Sequence, residues 1–315
     1  MRLLLLLFFI LSVAAHGESP ASGSEVLRFD PVDGTRARTV PVKVYLPAKK
    51  SPVPVVIFSH GLGGSRENGV YLGEHWAASG YVAVFVQHPG SDESVWKEVA
   101  RGERFDALKG AASLSSTLDR FADIPFVLDQ LERWNAESGH PLKGRLDLEH
   151  IGMCGHSFGA VTTQGMMGQR FRANRTFRDP RLDAFFLMSP SGSRGLSSAQ
   201  AFAEITAPVL CMTGTEDASP ITPEVTPASR REVFAALPPG DKCQLVFEGG
   251  QHSAFSDTPL FNEQRIAHHH GAIRLISTRF WDACLKGDAE AKAWLRSERP
   301  RVDGKLLEKD QWEWK

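Results

Sequence analysis
The pentapeptide Gly155-His156-Ser157-Phe158-Gly159 has the pattern Gly-x-Ser-x-Gly. It follows the run His150-Ile151-Gly152-Met153-Cys154 and precedes the small residues Ala160-Val161-Thr162-Thr163. That order predicts a strand, a sharp turn and a helix, with serine at the apex. Glycine two positions to either side leaves room for a strained serine backbone. The helix start aims N–H groups and a positive dipole end at developing negative charge. A serine hydroxyl is a poor nucleophile at neutral pH, so it needs a base, and the base needs an orienting acid. Downstream, the predicted strand Val209–Thr213 runs into Gly214-Thr215-Glu216-Asp217. The next, Gln244–Phe247, runs into Glu248-Gly249-Gly250-Gln251-His252. Asp217 and His252 thus follow successive strand ends, and the chain order is serine, aspartate, histidine.

Each assignment has competitors. Glu216 adjoins Asp217 but points the other way, and Asp183 precedes its strand Ala184–Met188 rather than following it. For the base, His60, His88, His156 and His268-His269-His270 compete. His156 is pinned in the turn and is expected to face away from its neighbour. Consecutive helix residues point about 100° apart, so the triple histidine is a poor metal chelate. It reads instead as a helix start behind His252.

Attack on a carbonyl creates an oxyanion that needs two donors. Phe158 N–H, just after the nucleophile, is one candidate. The loop Ser59-His60-Gly61-Leu62-Gly63-Gly64 offers the other, with Leu62 N–H preferred and Gly61 and Gly63 as alternatives. The same glycines could cradle a phosphate, but neither the Walker pattern nor Gly-x-Gly-x-x-Gly is present.

The elements around these residues alternate between apolar runs and helical patterns. Strands are expected at Val40–Leu46, Val53–Ser59, Tyr81–Gln87 and His150–Cys154, and at the three downstream runs already named. Helices are expected at Glu67–Ser79, Leu118–Glu137, His269–Leu285 and Ala289–Leu295, with Pro125 kinking or delaying the second. Such alternation predicts one α/β domain with a mostly parallel central sheet and helices on both faces. The stretches Gly90–Thr117 and Met166–Pro180 break the rhythm and read as loops or short helices at a pocket mouth. Trp96, Phe105 and Phe255 are possible pocket-lining aromatics.

The chain opens Met1-Arg2, then Leu3 to Val13 with Ser12 the only polar side chain, then Ala14, Ala15 and Gly17. This predicts a signal peptide over 1–17, too short to span a bilayer, and a secreted or periplasmic mature domain over 18–315. Lys and Arg number 36 against 37 Asp and Glu, with no basic stripe, which argues against nucleic acid as a partner. No later run suggests an integral membrane segment. The four cysteines show no zinc pattern. Cys154 and Cys211 read as buried strand residues. Cys243 and Cys284 are expected to pair, closing a loop of about 40 residues worth roughly 4 kcal/mol in an oxidising compartment.

With these residues in place, the chain resembles the α/β-hydrolase superfamily over nearly all its mature length, in which Ser…Asp…His is the chain order. The segment from Phe58 to Asp92, the elbow and the tail Phe280–Asp288 are similar to a bacterial group of predicted dienelactone hydrolases and platelet-activating-factor acetylhydrolase-like proteins. The resemblance implies a serine ester hydrolase needing neither metal nor organic cofactor. Its partner would be a small-molecule, lipid or polymeric ester. True dienelactone hydrolases use cysteine where this chain has Ser157. The acetylhydrolase elbow often continues with glycine where this chain has Ala160. Cutinase-like polyester hydrolases share the elbow and secretion. Other acyl transfer on the same triad, or a non-catalytic binding role, are the alternatives.

Overall fold
Period-two alternation sorts the central strands between two apolar layers. In β5 (Val53–Ser59), Val55 and Ile57 join one core cluster while Val56 and Phe58 join the other. In β8 (Ala184–Met188), Phe185 and Leu187 face the first cluster, and Ala184, Phe186 and Met188 the second. Strands buried on both faces in this way need helices on both sides. The computed structural model describes residues 24–193, 195–257, 263 and 266–315. The predicted leader at 1–17 lies outside them.

The remaining strands are β1 (Glu25–Phe29), β2 (Val32–Asp33), β3 (Arg38–Thr39), β4 (Val42–Leu46), β6 (Val82–Val86), β7 (Leu146–His156), β9 (Val209–Glu216), β10 (Lys242–Gln251) and β11 (Gln311–Trp314). The main sheet runs β1-β4-β6-β5-β7-β8-β9-β10-β11. The six strands from β6 to β10 are parallel, and antiparallel pairs close both edges. β2 and β3 form a separate ribbon. The chain leaves β5 toward β6 but leaves β7 toward β8, so the order reverses between β5 and β7. Open α/β sheets place their ligand sites at such a switch point, beyond the carboxyl ends of the strands.

The helices are α1 (Val70–Ala78), α2 (Ser94–Lys97), α3 (Arg104–Ala111), α4 (Leu114–Ala136), α5 (Phe158–Met166), α6 (Ser198–Phe202), α7 (Pro227–Ala236), α8 (His268–Leu285), α9 (Ala289–Leu295) and α10 (Arg299–Asp303). Residues of α4, α5, α6 and α7 pack in the first cluster, and those of α1, α8 and α9 in the second. α4 begins earlier than its periodicity suggested because Ser113 caps it, accepting from Ser116 N–H at 3.1 Å. Pro125 sits inside α4 without ending it. α1 begins three residues later than expected, because Gly69 precedes it in the left-handed region at φ 77°. α2 and α3 occupy the irregular stretch after β6, as short helices. No helix among the described residues is long and apolar enough to cross a membrane.

The expected cross-link between Cys243 and Cys284 is not formed. All four cysteines are free thiols, although Cys243 and Cys284 line the same hollow. Burial raises both thiols, Cys243 to about 12.

Candidate active site
β7 delivers Ser157 to the switch point. Its backbone takes φ 56° and ψ −114°, the strained conformation of a sharp strand-to-helix turn. The flanking glycines have a steric cause. A Cβ at Gly155 would overlap the carbonyl of Gly159, and one at Gly159 would overlap the carbonyl of Ser59 on neighbouring β5. The elbow is therefore packed backbone to backbone against the strand that carries the glycine-rich loop.

The structure brings Ser157, His252 and Asp217 into one chain of hydrogen bonds. Ser157 Oγ lies 2.9 Å from His252 Nε2, and His252 Nδ1 lies 2.7 Å from Asp217 Oδ1. With Nδ1 donating to the carboxylate, Nε2 is left free to accept the serine proton. Asp217 is fully buried and accepts a second bond from Thr213 Oγ1 at 2.7 Å. Burial alone would raise its pKa. The hydrogen bond and charge of His252, with the Arg230 guanidinium, outweigh burial and hold it at about 2.

Arg230 is the residue that sequence reasoning missed here. It lies in α7, which the hydrophobic pattern did not reveal. Its Nε sits 2.9 Å from Asp217 Oδ1, and its Nη1 donates to the Ser189 carbonyl at 2.7 Å. Its Nη2 lies 3.1 Å from His252 Nδ1, so cation and carboxylate flank the same imidazole edge. A signal for α7 existed: Thr226-Pro227-Ala228-Ser229 forms a capping box with proline in the first turn.

The two oxyanion candidates are placed as follows. Phe158 is the first residue of α5, where a helix leaves N–H groups without intrahelical acceptors. Among the described residues, neither Phe158 N–H nor Leu62 N–H meets a backbone or side-chain acceptor. Gly63 N–H is engaged by the Ser91 carbonyl at 2.9 Å, which removes Gly63 as an alternative. Gly61 passes close to the elbow, its would-be Cβ 3.6 Å from Ser157 Cβ. Trp96 anchors the loop from outside, donating from Nε1 to the Gly63 carbonyl at 2.7 Å.

The competing residues go elsewhere. Asp183 accepts from Ile151 N–H at 2.8 Å, at the opposite end of the sheet. Glu216 pairs with Gln251. His156 does not simply face away. Its Nε2 lies 3.0 Å from the His252 carbonyl and braces the histidine loop, while burial lowers it to about 3. His268 bonds Asp310, His269 is buried beside Phe247, and His270 reaches the Ser256 carbonyl. Of the three, His270 ties the loop after His252 to α8, while His268 reaches the turn before β11 and His269 packs on β10. No cluster of metal-ligating side chains occurs among the described residues. Phe255 is core, Trp96 a loop anchor, and Phe105 half exposed.

A second Asp-His-Ser chain lies beneath the loop. His88 Nδ1 donates to Asp123 Oδ2 at 3.0 Å, and His88 Nε2 accepts from Ser59 Oγ at 2.9 Å. It repeats the connectivity of the first chain but not its access: Ser59, His88 and Asp123 are all fully buried. Arg36 and Arg38, brought in by the β2–β3 ribbon, also bond Asp123.

Residues 34–107 match the family of platelet-activating factor acetylhydrolase, isoform II. That span contains the glycine-rich loop and Trp96, and ends before the elbow. Among solved structures, a ferulic acid esterase from Streptomyces cinnamoneus superposes with a TM-score of 0.60 at 21% identity, covering 86% of this chain and 93% of that one. The likeness is one of fold, and the fold is that of a single α/β-hydrolase domain. No curated protein matches the chain.

Proposed function
We propose that the protein is a serine carboxylic ester hydrolase that works through an acyl-enzyme. The observation that carries this is the Ser157–His252–Asp217 hydrogen-bond chain, at 2.9 and 2.7 Å, beside the Leu62 and Phe158 amides, which meet no acceptor among the described residues. Ser157 Oγ attacks the ester carbonyl and His252 Nε2 takes its proton. Asp217 holds the imidazole in the required tautomer and stabilises the imidazolium. Leu62 and Phe158 N–H groups receive the oxyanion, each worth about 3–4 kcal/mol in the transition state. His252 then protonates the leaving alcohol, and water repeats the cycle on the acyl group. The leader-like segment over 1–17 supports export, to the periplasm or beyond.

The test is hydrolysis of p-nitrophenyl esters from acetyl to palmitoyl, wild type beside Ser157→Ala, with fluorophosphonate labelling of both. Turnover and labelling that vanish in the folded variant support the assignment. Activity that survives the substitution refutes it. A short-chain optimum favours an acetyl-type esterase, and a long-chain optimum a lipid or polyester surface. Feruloyl and phospholipid acetyl esters extend the panel toward the substrates of the proteins it is similar to.

A further inference from the structure
Arg120, on α4, is fully buried. Its guanidinium makes no direct bond to a carboxylate among the described residues, and Asp123 and Asp92 act on it only through space. A cation so placed is costly to bury, and burial pushes it down to about 9, still charged at neutral pH.

Its hydrogen-bond partners belong to the end of β5 with the glycine-rich loop after it, and to the loop after β6 that holds that loop in place. Nη1 donates to the His60 carbonyl at 2.8 Å, at the entry to Gly61-Leu62-Gly63. Nε donates to Ser91 Oγ at 2.8 Å and Nη2 to the Ser91 carbonyl at 3.4 Å. That same Ser91 carbonyl holds Gly63 N–H, at the exit of the turn. One guanidinium therefore fixes both ends of the turn that presents Leu62. Its carbon also lies 4.3 Å from the centre of the Phe158 ring, the side chain of the second donor residue. The histidines below are locked as neutral rings: His60 donates from Nδ1 to the Gly61 carbonyl and accepts the His88 N–H at Nε2. They supply shape without charge, whereas Arg120 brings a cation to the turn.

We propose that Arg120 is a positioning residue for the oxyanion hole, aiming the Leu62 and Phe158 amides at one point and adding a fixed positive charge behind them. The proposal rests on the ester-hydrolase reading. A mere packing role would cost stability and leave turnover per folded molecule intact. A positioning role separates kcat from KM, because the oxyanion exists only in the transition state.

The experiment compares Arg120→Met and Arg120→Lys with wild type on p-nitrophenyl acetate, together with inhibition by a boronic acid that forms a charged tetrahedral adduct. For folded Arg120→Met, kcat should fall about 100-fold with KM within about threefold, and boronate affinity should fall in parallel. Arg120→Lys keeps the charge but not the forked contacts, and should recover about tenfold of the loss. If Arg120→Met does not fold, Arg120→Lys decides: kcat about tenfold below wild type at unchanged KM supports the proposal. Wild-type kcat and boronate affinity in either folded variant overturn it. If the wild type shows no Ser157-dependent turnover or labelling, the hydrolase reading falls and takes this inference with it. If the wild type is active and Arg120 variants match it, only the inference falls.

Discussion
At the scale of single residues, two buried arginines beside the candidate site stand in opposite settings. Arg230 neutralises a buried carboxylate, whereas Arg120 has no carboxylate in contact among the described residues. Removing Arg230 takes away the cation that neutralises a fully buried Asp217. Arg230→Met should therefore cost about 3–5 kcal/mol of stability, read by urea unfolding at pH 7. A loss below about 1 kcal/mol would mean that His252 and Thr213 suffice to hold the carboxylate. The Leu62 amide offers a cleaner test of the hole. Leu62→Pro deletes its N–H and should lower kcat about 100-fold or more. Unchanged kcat in that variant would transfer the donor role to Gly61. Ser157, Asp217, His252, Leu62 and Phe158 could all be named from the sequence, because glycine spacing and strand ends mark them. Arg120, Asp123 and Arg230 could not. A charged residue within an amphipathic helix reads as solvent-facing until topology shows what the helix covers.

At the scale of elements, the helix that follows Ser157 is seated by a missing side chain. A Cβ at Gly165 of α5 would run into the Phe121 ring of α4. Gly165→Ala should cost about 1–3 kcal/mol through overpacking, measured by thermal or urea unfolding. The size of the loss reports how rigidly α4, which also carries Arg120, is held against α5. The elements buried on both faces were the most legible. Val53–Ser59 and Ala184–Met188 match their expected limits, since nothing but a buried strand explains such runs. β7 extends back from the expected His150 to Leu146 through Asp147 and Glu149, polar residues that hid its beginning. β1 and β11 were not foreseen, because an edge strand buries little: in Gln311–Trp314 only Trp312 is buried.

At the scale of the molecule, acid is the expected weak point. Burial, the largest cause in each case, holds His60 well below the ordinary histidine value, His88 at about 4 and His156 at about 3. Unfolded, each would titrate near 6.5. Between pH 6.5 and about 4 the unfolded chain takes up protons that the folded chain refuses, so stability present above 6.5 is lost as pH falls. Three such groups give a slope of up to about 4 kcal/mol per pH unit. Asp217, held at about 2, continues the loss below its unfolded value of 3.8. Urea unfolding at pH 7, 6 and 5 tests this, and a flat profile above pH 5 would contradict it.

The free thiols supply a clock for the whole fold. Cys154, Cys211 and Cys243 are buried, and burial raises each, the latter two to about 12. The thiolate is the form that reacts with alkylating and disulfide reagents. In the closed molecule these three sulfurs are shielded and almost wholly protonated at neutral pH, so each modification event must wait for an opening. They lie on β7, β9 and β10, the strands that carry Ser157, Asp217 and His252. The lag before each sulfur reacts would time, strand by strand, how long the three strand ends at the candidate site stay in register.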